Sequence, residues 1–311
     1  MKVMGIHAGR KNGNSSVLIK EALMACQEKG ADILMINLHD YNIRPCTGCE
    51  SCTKNMQYGG KSTYCIWDGK DDLDKIMKEF LVQDGLIFAV PTYDLMPAGI
   101  YTTFANRYMP YEAAFLKEAR IMEIRDRVGG LISMGGSTRS WQSMALESLS
   151  ASMFTQSIQV VDQILGARCG LPGSVAFHRE LVDRARLMGQ NIIKAIETPI
   201  EKREWLGDRD FGWCPVCHSN SLSLGEPHWD GIQWPIECQV CGAGGDLEKD
   251  ENGKWRFVLA ENGMLKCRII EKGRVLHMYE IKHNMDQWKE HKAEVDEFME
   301  KYKGISFPTI E

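Results

Sequence analysis

The sequence predicts an α/β protein: a doubly wound, five-stranded parallel sheet, followed by a small β-rich metal-ribbon domain and a C-terminal helix. Three observations carry this: apolar runs alternating with amphipathic stretches up to about residue 200, two cysteine pairs between 214 and 241, and an amphipathic charged tail. Residues 2–6 are an apolar run, 8–16 a turn-rich loop and 17–28 an amphipathic stretch, giving strand, loop and helix. A second strand is expected at 31–38 and a second helix at 71–81. The third strand, 85–90, enters Pro91-Thr92-Tyr93, and a helix over about 98–108 follows. The fourth strand, 128–134, ends in Gly135-Gly136-Ser137. Residues 141–154 read as helix, 157–165 as the fifth strand and 180–196 as the helix that closes the first domain, 1–200. A charged stretch with the turn Gly207-Asp208-Arg209-Asp210 marks the linker to a second domain, 205–283, and the tail helix spans 285–303.

Composition narrows the function. The chain has 311 residues, 44% hydrophobic and 25% charged, which excludes disordered, fibrous and coiled-coil classes. With 37 Lys and Arg against 42 Asp and Glu, the net charge of -5 provides no basic footprint, so nucleic acid is not an expected partner. No apolar run reaches the ~18–20 residues of a membrane span, and the first residues lack a signal-peptide pattern; a cytoplasmic protein is the expectation. In a reducing compartment, eleven cysteines point to metal or redox chemistry. Cys46, Cys49, Cys52 and Cys65 form one group and Cys214, Cys217, Cys238 and Cys241 another, while Cys26, Cys169 and Cys267 stand alone.

Ligands of doubly wound sheets sit at the carboxyl ends of strands, beside the switch in strand order. The loop after the first strand has glycines for close approach, a helix start near Asn14 with free amides, and the side chains of Arg10, Ser15 and Ser16. It suits a phosphate monoester, or is a plain strand-to-helix turn with a Ser cap. Neither a dinucleotide fingerprint nor a Walker loop is present. Pro91-Thr92-Tyr93 offers an aromatic face for a flat ring, or is a turn with a packed tyrosine.

Taken together, Arg10-Lys11-Asn12-Gly13-Asn14-Ser15-Ser16, Pro45-Cys46-Thr47-Gly48-Cys49-Glu50-Ser51-Cys52, Cys65-Ile66-Trp67-Asp68, Pro91-Thr92-Tyr93 and Gly135-Gly136-Ser137 resemble, in order, the NADPH-dependent FMN reductase branch of the flavodoxin-like proteins, and specifically the iron–sulfur flavoproteins. The resemblance covers residues 1 to about 197. It implies FMN, with Arg10, Asn12, Asn14, Ser15 and Ser16 at the phosphate, Pro91, Thr92, Tyr93, Asp94, Leu95 and Met96 along the ring, and Gly135, Gly136, Ser137 and Thr138 closing its other edge. It also implies a homo-oligomer, since flavin sites in that family are completed by a neighbouring subunit. The opening Gly5-Ile6-His7-Ala8-Gly9-Arg10 departs from the family's usual Gly-Ile-Ser-Gly-Ser-Pro-Arg, and twelve residues separate Cys52 from Cys65 where four to seven are usual. Those twelve include a surface excursion around 57–62. Cys46, Cys49 and Cys52, at intervals of three, let three thiolates face one [4Fe–4S] cluster with Cys65 as the expected fourth ligand. The alternative is that the thiols pack beneath the flavin.

Cys214-Pro215-Val216-Cys217 and Cys238-Gln239-Val240-Cys241 are knuckles twenty residues apart, resembling a zinc ribbon or rubredoxin pair. They would hold zinc, or iron if the domain is redox-active. Residues 255–259 and 275–279 are expected as its further strands; Cys267 reads as a packing residue, and His218 and His228 as dispensable alternatives to the four thiolates. His7 reads as a satisfied loop histidine or a proton donor, and no general acid stands out.

These readings make an electron-transferring flavoenzyme using FMN, a [4Fe–4S] cluster and ferredoxin or NAD(P)H. A cluster-free NAD(P)H-dependent FMN or quinone reductase is the enzymatic alternative. A ribbon-bearing binding module on a passive scaffold is the alternative of another class.

Overall fold

The computed structural model describes residues 1–57, 64–118, 121–142, 144–208 and 211–308. The expected excursion beyond residue 57 and residues 209 and 210 of the linker turn lie outside them. The first sheet contains β1 (Lys2–His7), β2 (Asp32–Asn37), β3 (Gly85–Tyr93), β4 (Met96–Pro97), β5 (Arg127–Met134) and β6 (Ile158–Gly166). Five of these run parallel in the order β2-β1-β3-β5-β6, with β4 hairpinned onto β3. That is the flavodoxin-like winding, whose switch point lies between β1 and β3.

The helices are α1 (Asn14–Glu28), α2 (Ser51–Gln57), α3 (Leu73–Leu81), α4 (Gly99–Ala105), α5 (Ala113–Glu118), α6 (Ala145–Thr155), α7 (Arg179–Glu197), α8 (Glu271–Glu290) and α9 (Lys292–Glu300). β1, β3 and β5 are apolar on both sides because helices cover both faces, while β6 also carries buried Asp162, paired with Arg184 and Asn191 of α7. One core packs Leu18, Ile19, Ala22, Met188 and Ile192 of α1 and α7 against Val3, Ile87 and Ile132. The other packs Phe80, Tyr101, Phe104 and Leu149 against Met4, Ile6, Phe88 and Leu131. Gly189 lets α7 approach α1, for a Cβ there would lie 2.1 Å from the Ala22 carbonyl oxygen.

The second sheet is antiparallel, ordered β10-β9-β8-β7, from β7 (Leu222–Leu224), β8 (Ile236–Cys238), β9 (Gly244–Lys249) and β10 (Trp255–Leu259). The strand expected at 275–279 is instead part of α8. Val275-Leu276-His277-Met278-Tyr279 is an apolar run, but Met278, Ile281, Met285 and Trp288 recur at intervals of three and four, a helical period that runs through the expected boundary at 285. The tail is therefore two helices, α8 and α9, starting well before residue 285. The helix expected from 141 starts later, at Ala145, after a 3-10 turn Arg139–Gln142.

Candidate active site

The loops after β1, β3, β5 and β6 meet at the carboxyl edge of the sheet around a cavity of about 240 Å³. Arg10, Gly13, Asn14, Ser15, Pro91, Thr92, Tyr93, Gly135 and Gly136 line it, all from the stretches singled out by sequence. Met134, Cys169, Gly170 and Pro172 line it too and were not anticipated. Asn12, Ser16, Asp94, Leu95, Met96 and Ser137 lie in the same loops but outside the cavity wall.

No side chain caps α1 behind Gly13, and the amides of Asn14 and Ser15 have no hydrogen-bond partner among the described residues. An anion at this helix end would meet free donors and the positive end of the dipole. The Ser16 hydroxyl instead closes the loop onto the Lys11 carbonyl. The Asn14 amide braces the loop after β6, donating to the Cys169 and Leu171 carbonyls at 2.7 and 2.8 Å while its oxygen accepts from Val175 N–H.

His7 is fully buried beneath the loop and satisfied on both nitrogens, which removes it as a proton donor to a ligand. Asn37 Oδ1 accepts from His39 N–H, so the Asn37 amide nitrogen faces His7 Nδ1 at 3.1 Å. Nδ1 is thus an acceptor, and Nε2 carries the hydrogen and donates to Ser15 Oγ at 2.9 Å. The Ser15 hydroxyl hydrogen is left to be donated elsewhere. A Cβ on Gly9 would lie 2.8 Å from Ser15 Oγ and 3.0 Å from His7 Nε2, so only glycine fits this close approach. Burial first, then the neighbouring His39 and Lys20, lower the His7 pKa to about 4.

The unfolded histidine takes up a proton below about 6.5 while the folded one resists it to about 4, so the contribution is intact above 6.5 and drains away as pH falls toward 4. Between pH 7 and pH 5 the loss is about 2 kcal/mol. Urea unfolding at the two pH values should show this loss in the wild type and not in His7→Gln; equal pH dependence in both would contradict it.

At the ring-side loop, β3 turns into β4 through Asp94 and Leu95, both at positive φ (47° and 71°). This is the geometry of a tight hairpin turn that usually takes Asn-Gly, so the strain sits beside the cavity. Tyr93 is half exposed at the rim, and Thr92 Oγ1 lies 3.0 Å from Ser133 Oγ.

The cysteine loop leaves the same sheet edge after β2. Cys46, Cys49, Cys52 and Cys65 line one pocket together with Trp67, Asn106, Arg107 and Pro110. Cys65 is drawn back toward the motif because Trp67 Nε1 donates to the Pro45 carbonyl and stacks beneath Arg44. The Cys65 amide donates to Asp68 at 2.8 Å. Cys46 and Cys49 are exposed; hydrogen bonding with Ser51 holds the Cys49 thiol below its usual pKa, whereas burial raises that of Cys52.

In the second sheet the four sulfurs of Cys214, Cys217, Cys238 and Cys241 are buried within 4.8 Å of one another, a group that could hold a metal ion. The Cys214–Cys241 and Cys217–Cys238 sulfurs are 3.7 and 3.6 Å apart. A tetrahedron with metal–sulfur bonds of about 2.3 Å has edges of about 3.8 Å, so the four thiols fit one ion, zinc or iron alike. Cys267 is buried against Cys241, as expected of a packing residue. His218 stacks on Trp205 at 4.1 Å and His228 pairs with Glu237 at 3.1 Å.

The flavodoxin-like sheet with an anion-ready helix end at its switch point, together with the family match over more than half of the chain, places the protein among flavin-dependent oxidoreductases. The chain belongs to the NADPH-dependent FMN reductase family, whose profile matches residues 1–168. It is 30% identical over 162 residues to an iron–sulfur flavoprotein of Methanocaldococcus jannaschii, covering 52% of this chain and 76% of that one. It is 24% identical over 304 residues to a flavone synthase of Aspergillus candidus, covering 92% and 90%. Among solved structures, a flavone reductase matches over 100% of both chains with a TM-score of 0.77 at 23% identity, a likeness of fold through both sheets. No helix among the described residues is long and apolar enough to cross a membrane.

Proposed function

We propose that this protein is an iron–sulfur flavoprotein oxidoreductase that exchanges electrons between FMN, a [4Fe–4S] cluster and an external partner, ferredoxin or NAD(P)H. The observation that carries the reading is that the candidate flavin cavity and the four-cysteine pocket open from loops on the same carboxyl edge of one sheet. FMN would be held at its phosphate by Arg10, the Asn14 and Ser15 amides and the Ser15 hydroxyl, with Asn12 and Ser16 shaping the loop. Pro91, Thr92 and Tyr93 would flank the ring, supported by the Asp94–Met96 turn, with Gly135, Gly136 and Ser137 opposite. Two features fit these groups: the undonated Ser15 hydroxyl hydrogen, and two buried guanidinium nitrogens of Arg107 without partners beside the cysteines. When bound, FMN accepts two electrons as hydride and releases them singly, which suits a cluster that takes one at a time. The chain's own residues hold and orient the groups. The ribbon holds zinc or a mononuclear iron, in a region of about residues 211–268 that lies between the flavin domain, 1–200, and α8.

The test is extraction of the flavin: about one FMN per chain is expected, and FAD or no flavin would overturn the site. A second reading concerns the acceptor. The curated match that runs through nearly the whole chain is named for flavone chemistry, whereas the iron–sulfur flavoprotein match covers about half. A flat conjugated aromatic ketone is therefore a candidate acceptor at the ring face beside Tyr93, and anaerobic reoxidation of the reduced flavin by a flavone would support it.

A further inference from the structure

Arg107, in the turn after α4, is 1% exposed and carries a charge that the described residues only half accommodate. Its Nη1 donates to Asp71 Oδ2 at 2.7 Å and to the Arg44 carbonyl at 2.8 Å. The Asp71 side chain is fully buried as well. Nε and Nη2, however, are buried without a hydrogen-bond partner among the described residues. These two nitrogens share one edge of the planar fork and present parallel N–H groups, the arrangement that suits an anionic acceptor. Leaving such donors buried and unpaired is costly, so their presence calls for an acceptor. The pocket that Arg107 lines is the one lined by Cys46, Cys49, Cys52 and Cys65, and sulfur is its chemical theme. Burial opposes the guanidinium charge, and the Asp71 hydrogen bond together with the Cys65 thiol more than offsets it.

We propose that Arg107 sets the reduction potential of the cluster, donating Nε–H and Nη2–H hydrogen bonds to its sulfurs and so favouring the reduced, more negative state. The inference rests on the reading of these four cysteines as cluster ligands. Hydrogen bonds to sulfur and net charge near a cluster are among the levers that place its potential. Reduction here adds one electron, from the flavin or from an external donor such as dithionite; no bond forms or breaks, and the guanidinium keeps its protons. The added negative charge is what the Arg107 edge stabilises. Asp71 anchors the opposite side of the fork, and its bonds to Arg44 N–H and to the Leu73 amide tie it to the cysteine loop and to the start of α3.

The experiment is an anaerobic redox titration with dithionite, followed by electron paramagnetic resonance, on the whole protein and on Arg107→Gln and Arg107→Lys. Arg107→Gln is expected to make the cluster at least tenfold harder to reduce, which is 59 mV for a one-electron couple. Arg107→Lys, which keeps the charge and loses the fork, should fall between. Potentials equal within about 18 mV in all three, a twofold difference in the equilibrium, would overturn the proposal. Should the variants fail to assemble a cluster, the wild type decides it: protein grown with 15N-arginine is expected to show 15N coupling to the reduced cluster by pulsed measurement, and its absence would overturn the role. A coupling that persists in an assembled Arg107→Lys belongs to another arginine and counts against it as well. A wild type with no cluster at all sinks the parent reading and this one together, whereas an intact cluster indifferent to Arg107 sinks only this one.

Discussion

Replacing Cys214 or Cys241 with serine is expected to unfold the second sheet while flavin stays bound to the first. Both residues are fully buried, and the strands around them are short, with Trp234, Val240, Ala243 and Phe257 as the buried apolar side chains of the region besides the cysteines. A four-thiolate site of this kind contributes about 10–16 kcal/mol of apparent binding free energy. That is comparable to the whole stability of a typical domain, about 5–15 kcal/mol, so the ribbon should not survive its loss. The cavity residues come from loops of the parallel sheet and share none of the ribbon's ligands. Limited proteolysis should therefore cut the variants rapidly within residues 211–268 while leaving a flavin-bearing fragment. Unchanged resistance in that region would contradict a structural metal.

The parallel sheet was legible because each of its strands is a short apolar run bounded by turn residues and followed by an amphipathic stretch. What escaped the sequence did so for identifiable reasons. The hairpin strand β4 follows Asp94 and Leu95 at positive φ, where no glycine announces a turn. The run 275–279 reads as a strand because an isolated apolar run fits either period, and the wider spacing through Trp288 is what marks it as helix. Cys169, Gly170 and Pro172 reach the cavity through tertiary approach after β6, although the Cys169-Gly170-Leu171-Pro172-Gly173 turn at a strand end was a usable signal. Asn14 and Ser16 lie in the right loop, yet the Asn14 side chain braces the loop after β6 and the Ser16 hydroxyl closes its own loop, contacts that composition does not reveal. His7 supports Ser15 from beneath, a role that only the Asn37 contact exposes. The second cysteine group was the most legible feature of all, because its ligand spacing is local in sequence and its four sulfurs converge.

The second large effect separates flavin from iron. Serine at Cys46, Cys49 or Cys52 is expected to remove or destabilise the cluster and leave FMN at about one per chain, because the phosphate and ring loops belong to other strands. One-electron exchange with a ferredoxin-like partner should fail in these variants, while hydride uptake from a nicotinamide persists. Cys65→Ser is expected to leave a three-iron species, since Cys65, the proposed fourth ligand, arrives from a separate stretch held in place by Trp67 and Asp68. Simultaneous loss of flavin and iron in every variant would instead mean that the loop is a structural support of the cavity.

The central claim, that an iron–sulfur cluster accompanies the flavin, is tested most directly by iron and labile-sulfide analysis of anaerobically purified protein, with electron paramagnetic resonance of the reduced form. About four irons and four sulfides per chain beyond the ribbon site, with a reduced-cluster signal, are expected. Fewer than about two irons beyond that site, or no such signal, would contradict the account, leaving the four thiols as packing residues and the protein a plain FMN-dependent reductase.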